Sequence, residues 1–194
     1  MKNIILLTSL LACLILLPAA GAAESPRVAI ETNMGRIVVE LDAEKAPKTV
    51  SSFLDTVRSG FYTNTLFHRV IRDFMLQGGG FGTDGNLKAT DKALTNEADN
   101  GLKNLRGTIA MARKGDPHSA SVQFYINHAD NSFLDHKAPT PRGWGYCVFG
   151  KVVEGMDVVD AIAGVPVSRT RLSEAQPREN VVITGASVLP AAGE

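Results

Sequence analysis

Phe67-His68-Arg69-Val70-Ile71-Arg72-Asp73-Phe74-Met75-Leu76-Gln77-Gly78-Gly79 decides how this chain is read. The segment has the form strand, turn, strand. Side chains alternate between the two faces of a strand. On the first strand this puts Phe67 and Arg69 on one face and His68 on the other. On the second, Met75 and Gln77 share a face, and Phe74 and Leu76 take the opposite one. Such a hairpin can present an arginine, a glutamine and apolar side chains together. The pattern alone fits equally a half-buried surface hairpin with Arg69 and Gln77 solvated.

Working outward, Val28-Ala29-Ile30-Glu31-Thr32 and Arg36-Ile37-Val38-Val39-Glu40-Leu41 are strand-like, with turn chemistry in Asn33-Met34-Gly35. Pro47 opens a helix at the position where its missing N–H costs nothing. Val50, Phe53, Leu54 and Val57 fall on one face of it, and Gly60 ends it. Further short strands are expected at Leu66 to Val70, Phe74 to Gln77, Thr108 to Ala112, Val122 to Asn127, Cys147 to Val152 and Val181 to Val188. A second helix is expected from about Met156 to Ala163, with Val158, Val159 and Ile162 inward. Polar loops, such as Thr83 to Asn104 and Ala129 to Gly145, lie between. Many short strands with two helices predict a mainly-β closed barrel, its ends covered by the helices.

The chain has 194 residues, of which 44% are hydrophobic and 21% charged, which are ordinary values for one folded domain. A chain of this length buries roughly 70% of its unfolded surface and needs no disulfide or metal to hold its fold. Lys+Arg and Asp+Glu are both 20, so total charge offers no footprint for nucleic acid. Lys2, the apolar run Ile4 to Leu17, Pro18 and Ala19-Ala20-Gly21-Ala22-Ala23 have the three parts of a secretory signal peptide. The run is short of the ~20 residues of a spanning helix. Residues 1–23 are therefore expected to be cleaved, leaving a single domain over 24–194 in the periplasm. An alternative is lipid anchoring through Cys13, since Leu10-Leu11-Ala12-Cys13 resembles a lipoprotein box. After cleavage only Cys147 remains, in a strand-like setting that suggests a buried, inert thiol.

Other motifs carry less. Gly80-Phe81-Gly82-Thr83-Asp84-Gly85 matches a dinucleotide fingerprint, but the residues after it do not form an apolar-faced helix. His68, His118, His128 and His136 lack metal-ligand spacing, and no metal or other cofactor is expected. Ser119 and Ser121 beside His118 lack a nucleophile elbow and an orienting acid.

The hairpin segment closely resembles the cyclophilin motif Phe-His-Arg-[Ile/Val]-Ile-x-x-Phe-Met-x-Gln-Gly-Gly. Likeness extends in order through Gly107 to Ala112, Gln123 to Asn127, Phe133 to Asp135 and Val148 to Val152. With the leader, the sequence resembles the periplasmic rotamase A branch of the bacterial cyclophilins. The resemblance implies an eight-stranded antiparallel β-barrel capped by two α-helices. It also implies peptidyl-prolyl cis-trans isomerase activity on proline-containing polypeptides, in a monomer without a stable membrane span. A module that binds such peptides as a chaperone, without needed turnover, is the alternative.

The resemblance also assigns the site. Rotating a peptide bond meets a barrier of ~18–20 kcal/mol, because resonance must be broken. X-Pro bonds exchange unaided in tens to hundreds of seconds. An enzyme must therefore bind the twisted amide better than either planar form. As the bond twists, the prolyl nitrogen gains a localised lone pair. Arg69 is the implied donor to it, with an always-charged, planar guanidinium. Gln77 is expected to hold Arg69 and touch the substrate backbone. Phe74, Met75, Phe133 and Leu134 should line the proline slot, with Tyr125 at its floor. Met111, Ala112, Arg113 and Gln123 should bind the peptide on either side. His68 belongs to the motif, but its alternation away from Arg69 suggests structural support. Three residues depart from common relatives. Phe133 stands where many carry Trp, Tyr125 where Phe is frequent, and Tyr146, expected to border the slot, where many have His.

Overall fold

The computed structural model describes residues 25–88 and 93–190. The expected leader and Cys13 lie outside them. Eleven strands and two α-helices follow in chain order: β1 (Arg27–Thr32), β2 (Gly35–Leu41), α1 (Pro47–Arg58), β3 (Thr65–Leu66), β4 (Arg69–Ile71), β5 (Met75–Gly78), β6 (Thr108–Met111), β7 (Phe124–Asn127), β8 (Val148–Glu154), α2 (Met156–Ala163), β9 (Val167–Ser168), β10 (Gln176–Pro177) and β11 (Val182–Val188). Nine strands form one antiparallel sheet in the order β3-β11-β1-β2-β8-β6-β7-β5-β4, and β9 and β10 form a separate two-stranded sheet. The mainly-β architecture with two helices is as expected. The sheet has nine strands rather than eight, because the run Leu66 to Val70 breaks into β3 and β4. No ladder joins those two edge strands among the described residues. They are nonetheless consecutive in sequence, separated only by Phe67 and His68.

The sheet has two chemically different faces. Across five neighbouring strands, Val70, Leu76, Ile126, Ile109 and Gly150 sit opposite one another in register. The four side chains of this row enter the main core. There they meet α1, whose Val50, Phe53, Leu54 and Val57 are buried as the periodicity predicts. Phe53, Tyr62, Phe67, Phe124 and Phe149 form a set of ring contacts, with Phe53 and Phe149 5.1 Å apart. Such packed pairs add about 0.5–1.5 kcal/mol each beyond the area they bury. α2 inserts Val159, Ile162 and Ala163, while Val158 is only partly covered.

The adjacent row, one residue along four of the strands and two along β8 where a bulge shifts the register, is Arg69, Gln77, Tyr125, Ala110 and Val148. Strand alternation turns this row to the opposite face. It is the floor of the site. The glycine-rich stretch Gly80 to Gly85 and the serines beside His118 lie in loops outside the named strands and helices. The Gly80–Gly85 stretch turns through Gly82 N–H to Asn86 O at 2.9 Å, and Ser119 donates to the Asp116 carbonyl.

Candidate active site

A cleft of about 200 Å³ opens on the second face. This is smaller than the ~300–1,000 Å³ of typical small-molecule pockets, and suits one or two amino-acid side chains. Arg69, Phe74, Met75, Gln77, Ala112, Arg113, Tyr125, Leu134 and Tyr146 line it. All nine are among the residues the sequence singled out. Met75, Ala110, Tyr125 and Val148 make a small apolar cluster beneath.

Arg69 stands at one end. Its Nε donates to Glu174 Oε1 at 2.7 Å, and its Nη1 lies 3.6 Å from the Met75 sulfur. The guanidinium carbon is 5.6 Å from the centre of the Phe74 ring. The expected bond from Gln77 to Arg69 is not made, although the two residues are register partners. Gln77 Nε2 instead donates to Gln123 Oε1 at 3.0 Å. Glu174 is therefore the partner of Arg69, and Gln77 ties the slot to its neighbour. Gln123 does not line the slot. With Gln77, Ala112, Arg113, Lys114, Ser119 and Ser121 it forms an adjoining cleft of about 160 Å³.

Phe74 lies on Arg69's face, contrary to the alternation reading. β5 begins only at Met75, and Asp73 adopts a left-handed φ of 57°. That turn releases Phe74 from the pleat. Its carbonyl is then fixed by His128 N–H and Asn131 Nδ2, both at 2.9 Å. Phe67 is corrected for a parallel reason. It falls in the break between β3 and β4 and turns into the main core.

Phe133 is 62% exposed and stacks on Phe74 with 5.6 Å between ring centres. It is an outer rim, not a wall of the slot. Met111 is also corrected. Its side chain joins the main core, and the next residue, Ala112, lines the cleft instead.

His68 is 4% exposed, with its ring 4.6 Å from Phe81. Its Nδ1 is buried without a hydrogen-bond partner. Burial is the main cause that lowers its pKa to about 4. A ring that remains neutral and lies outside the slot is placed to pack, not to transfer a proton.

Tyr125 resolves its extra hydroxyl internally. The O–H donates to Asn104 Oδ1 at 2.7 Å. Asn104 in turn donates its Nδ2 to Asp135 Oδ1 at 3.1 Å. Asn127 Nδ2 also reaches Asn104, at 3.3 Å, and Asn131 Nδ2 donates to Asn127 Oδ1 at 2.7 Å. Asn131 also holds the Phe74 carbonyl, so one buried amide chain links floor to wall. Burial, first among the causes, pushes the Tyr125 phenol well above its ordinary range. At the far end Arg113 lies 4.6 Å over the Tyr146 ring and donates Nε to Gly145 O at 2.9 Å. Gly145 lets its own backbone pass close to the segment Leu134 to His136. Its φ is 74°, and a Cβ there would come within 2.5 Å of the His136 backbone nitrogen.

A donor at the edge of a small cleft of mixed polar and apolar lining, with no Ser, Thr or Cys among its lining residues, is equipped for binding a distorted substrate rather than for bond cleavage. Residues 27–188 match the model of the cyclophilin type peptidyl-prolyl cis-trans isomerase family. The chain belongs to this family. This cyclophilin is 56% identical to a peptidyl-prolyl cis-trans isomerase of Streptomyces antibioticus, over 84% of this chain and 98% of that one. It is 53% identical to peptidyl-prolyl cis-trans isomerase B of Escherichia coli, over 83% and 98% of the two chains. It is 50% identical to isomerase A of Dickeya dadantii, over 89% of each. Its fold matches a crystal structure of a Cryptosporidium parvum cyclophilin with a TM-score of 0.71. The identity there is 26%, and the match covers 86% and 99% of the two chains.

Within this cyclophilin, Glu174 and the amides Asn104, Asn127 and Asn131 were not singled out from sequence. Asn127 and Asp135 sit inside the family-like runs, which was an available signal. Glu174 lies 105 residues from Arg69, and nothing local marks it.

Proposed function

We propose that this chain accelerates X-Pro isomerisation in exported proteins as they fold, acting as a monomer with Arg69 as donor to the twisted amide. Isomerisation of prolyl bonds is its family's activity, shared with its bacterial relatives. The observation that carries the assignment is the Arg69 guanidinium held at the edge of a small cleft whose Phe74, Met75 and Leu134 side chains offer an apolar wall to a proline ring. Twisting localises charge on the prolyl nitrogen, so a preorganised N–H there strengthens only in the transition state. A proline ring packed against Phe74, Met75 and Leu134 would displace water that otherwise stabilises the planar, more polar amide. The signal-like residues 1–23 support export to the periplasm. Among the described residues no helix is long and apolar enough to cross a membrane.

Refolding of a protein with a proline-limited slow phase tests the reading. Substoichiometric enzyme should shorten that phase many times over. Acceleration only at stoichiometric amounts would instead identify a holding chaperone. Mass spectrometry of the mature N-terminus should find cleavage after Ala22 or Ala23. A lipid on Cys13 would replace soluble export with anchoring.

A further inference from the structure

We propose that Glu174 is a positioning residue for the isomerisation, holding Arg69 through its Nε–H so that the Nη groups face the slot. The proposal rests on the reading of Arg69 as donor. A free arginine side chain samples many rotamers, and a donor is catalytically useful only when its direction is set beforehand. The first motif residue expected to set it, Gln77, bonds elsewhere. Glu174 Oε1 receives Nε–H at 2.7 Å, the short distance of a charge-assisted bond. With Nη1 against the Met75 sulfur, two edges of the planar guanidinium are fixed. Rotation about the terminal bonds is thereby restrained.

Most surface ion pairs hold two mobile side chains and contribute little. This one differs in its backbone anchorage. Glu174 lies between β9 and β10, directly after a turn closed by Thr170 N–H to Ser173 O at 2.8 Å. The next residue, Ala175, accepts a hydrogen bond at 2.9 Å from Val70 N–H, and Val70 directly follows Arg69. The Ala175 N–H is held in turn by Ser173 Oγ at 3.1 Å. The carboxylate thus rises from a segment stitched to β4 beside the arginine it binds.

The test measures kcat and KM by exchange NMR on an X-Pro peptide, for wild type, Glu174→Ala, Glu174→Gln, Arg69→Ala and the double Ala variant. Glu174→Ala should lower kcat about 3- to 10-fold with KM within about twofold, the pattern of a lost transition-state interaction. Glu174→Gln keeps an acceptor oxygen and should restore most of the rate. In the Arg69→Ala background, Glu174→Ala should add no further loss, because the two act as a unit. Wild-type kcat in Glu174→Ala while Arg69→Ala is slow would overturn the proposal alone. So would an equal loss in both backgrounds. Wild-type kcat in Arg69→Ala would overturn the underlying reading and this proposal with it.

Discussion

His68 shows how a residue can belong to a catalytic motif without taking part in the chemistry. Its ring is buried against Phe81 with Nδ1 unbonded, and burial depresses its pKa from 6.5 to about 4. Between those values the unfolded chain binds a proton that the folded chain does not. Stability is therefore full above pH 6.5 and falls as the pH drops towards 4. At ~1.4 kcal/mol per pKa unit, the loss is roughly 3 kcal/mol. Urea unfolding at pH 7 and pH 4 should show wild type losing about that much more than His68→Gln. Parallel losses in the two proteins would contradict it. Sequence alternation correctly separated His68 from Arg69, because both flank one short extended stretch. It misplaced Phe67 and Phe74, because each lies just beyond a strand end, where the pleat no longer dictates direction. Glu174 was beyond its reach, since the loop that carries it meets β4 only in the folded chain.

At the scale of elements, the positions of α1 and α2 were readable from their apolar spacing and from Pro47, although Val158 of α2, expected inward, is only partly covered. The means of capping α1 was not readable. Ala46 at its N-cap has no side-chain acceptor, and Glu97 supplies one from a distant loop. Its carboxylate accepts Lys48 N–H at 3.2 Å, Thr49 N–H at 2.8 Å and Thr49 O–H at 2.7 Å. A negative charge at a helix N-terminus also complements the helix dipole. Glu97→Ala should cost about 1–2 kcal/mol, the range for loss of an N-cap. A urea midpoint unchanged from wild type would show that solvent replaces the cap freely. The short strands were legible in position but not in number. The break at Phe67-His68, which makes β3 and β4 separate edges of the sheet, has no turn residue to announce it.

For the whole molecule, the sheet divides labour between its faces. One face carries the row Val70, Leu76, Ile126 and Ile109 into the core, and the next residues along form the cleft floor. Site changes can therefore alter rate without removing core packing. Arg69 is the sharpest case, being partly exposed and contributing nothing to the main core. The most direct measurement is a protease-coupled isomerisation assay on an X-Pro peptide, wild type against Arg69→Ala, with peptide affinity and melting temperature taken on the same samples. The account predicts a rate lower by ~10²–10³, as for loss of a preorganised donor, with affinity and melting temperature nearly unchanged. Equal isomerisation rates in the two proteins would contradict it.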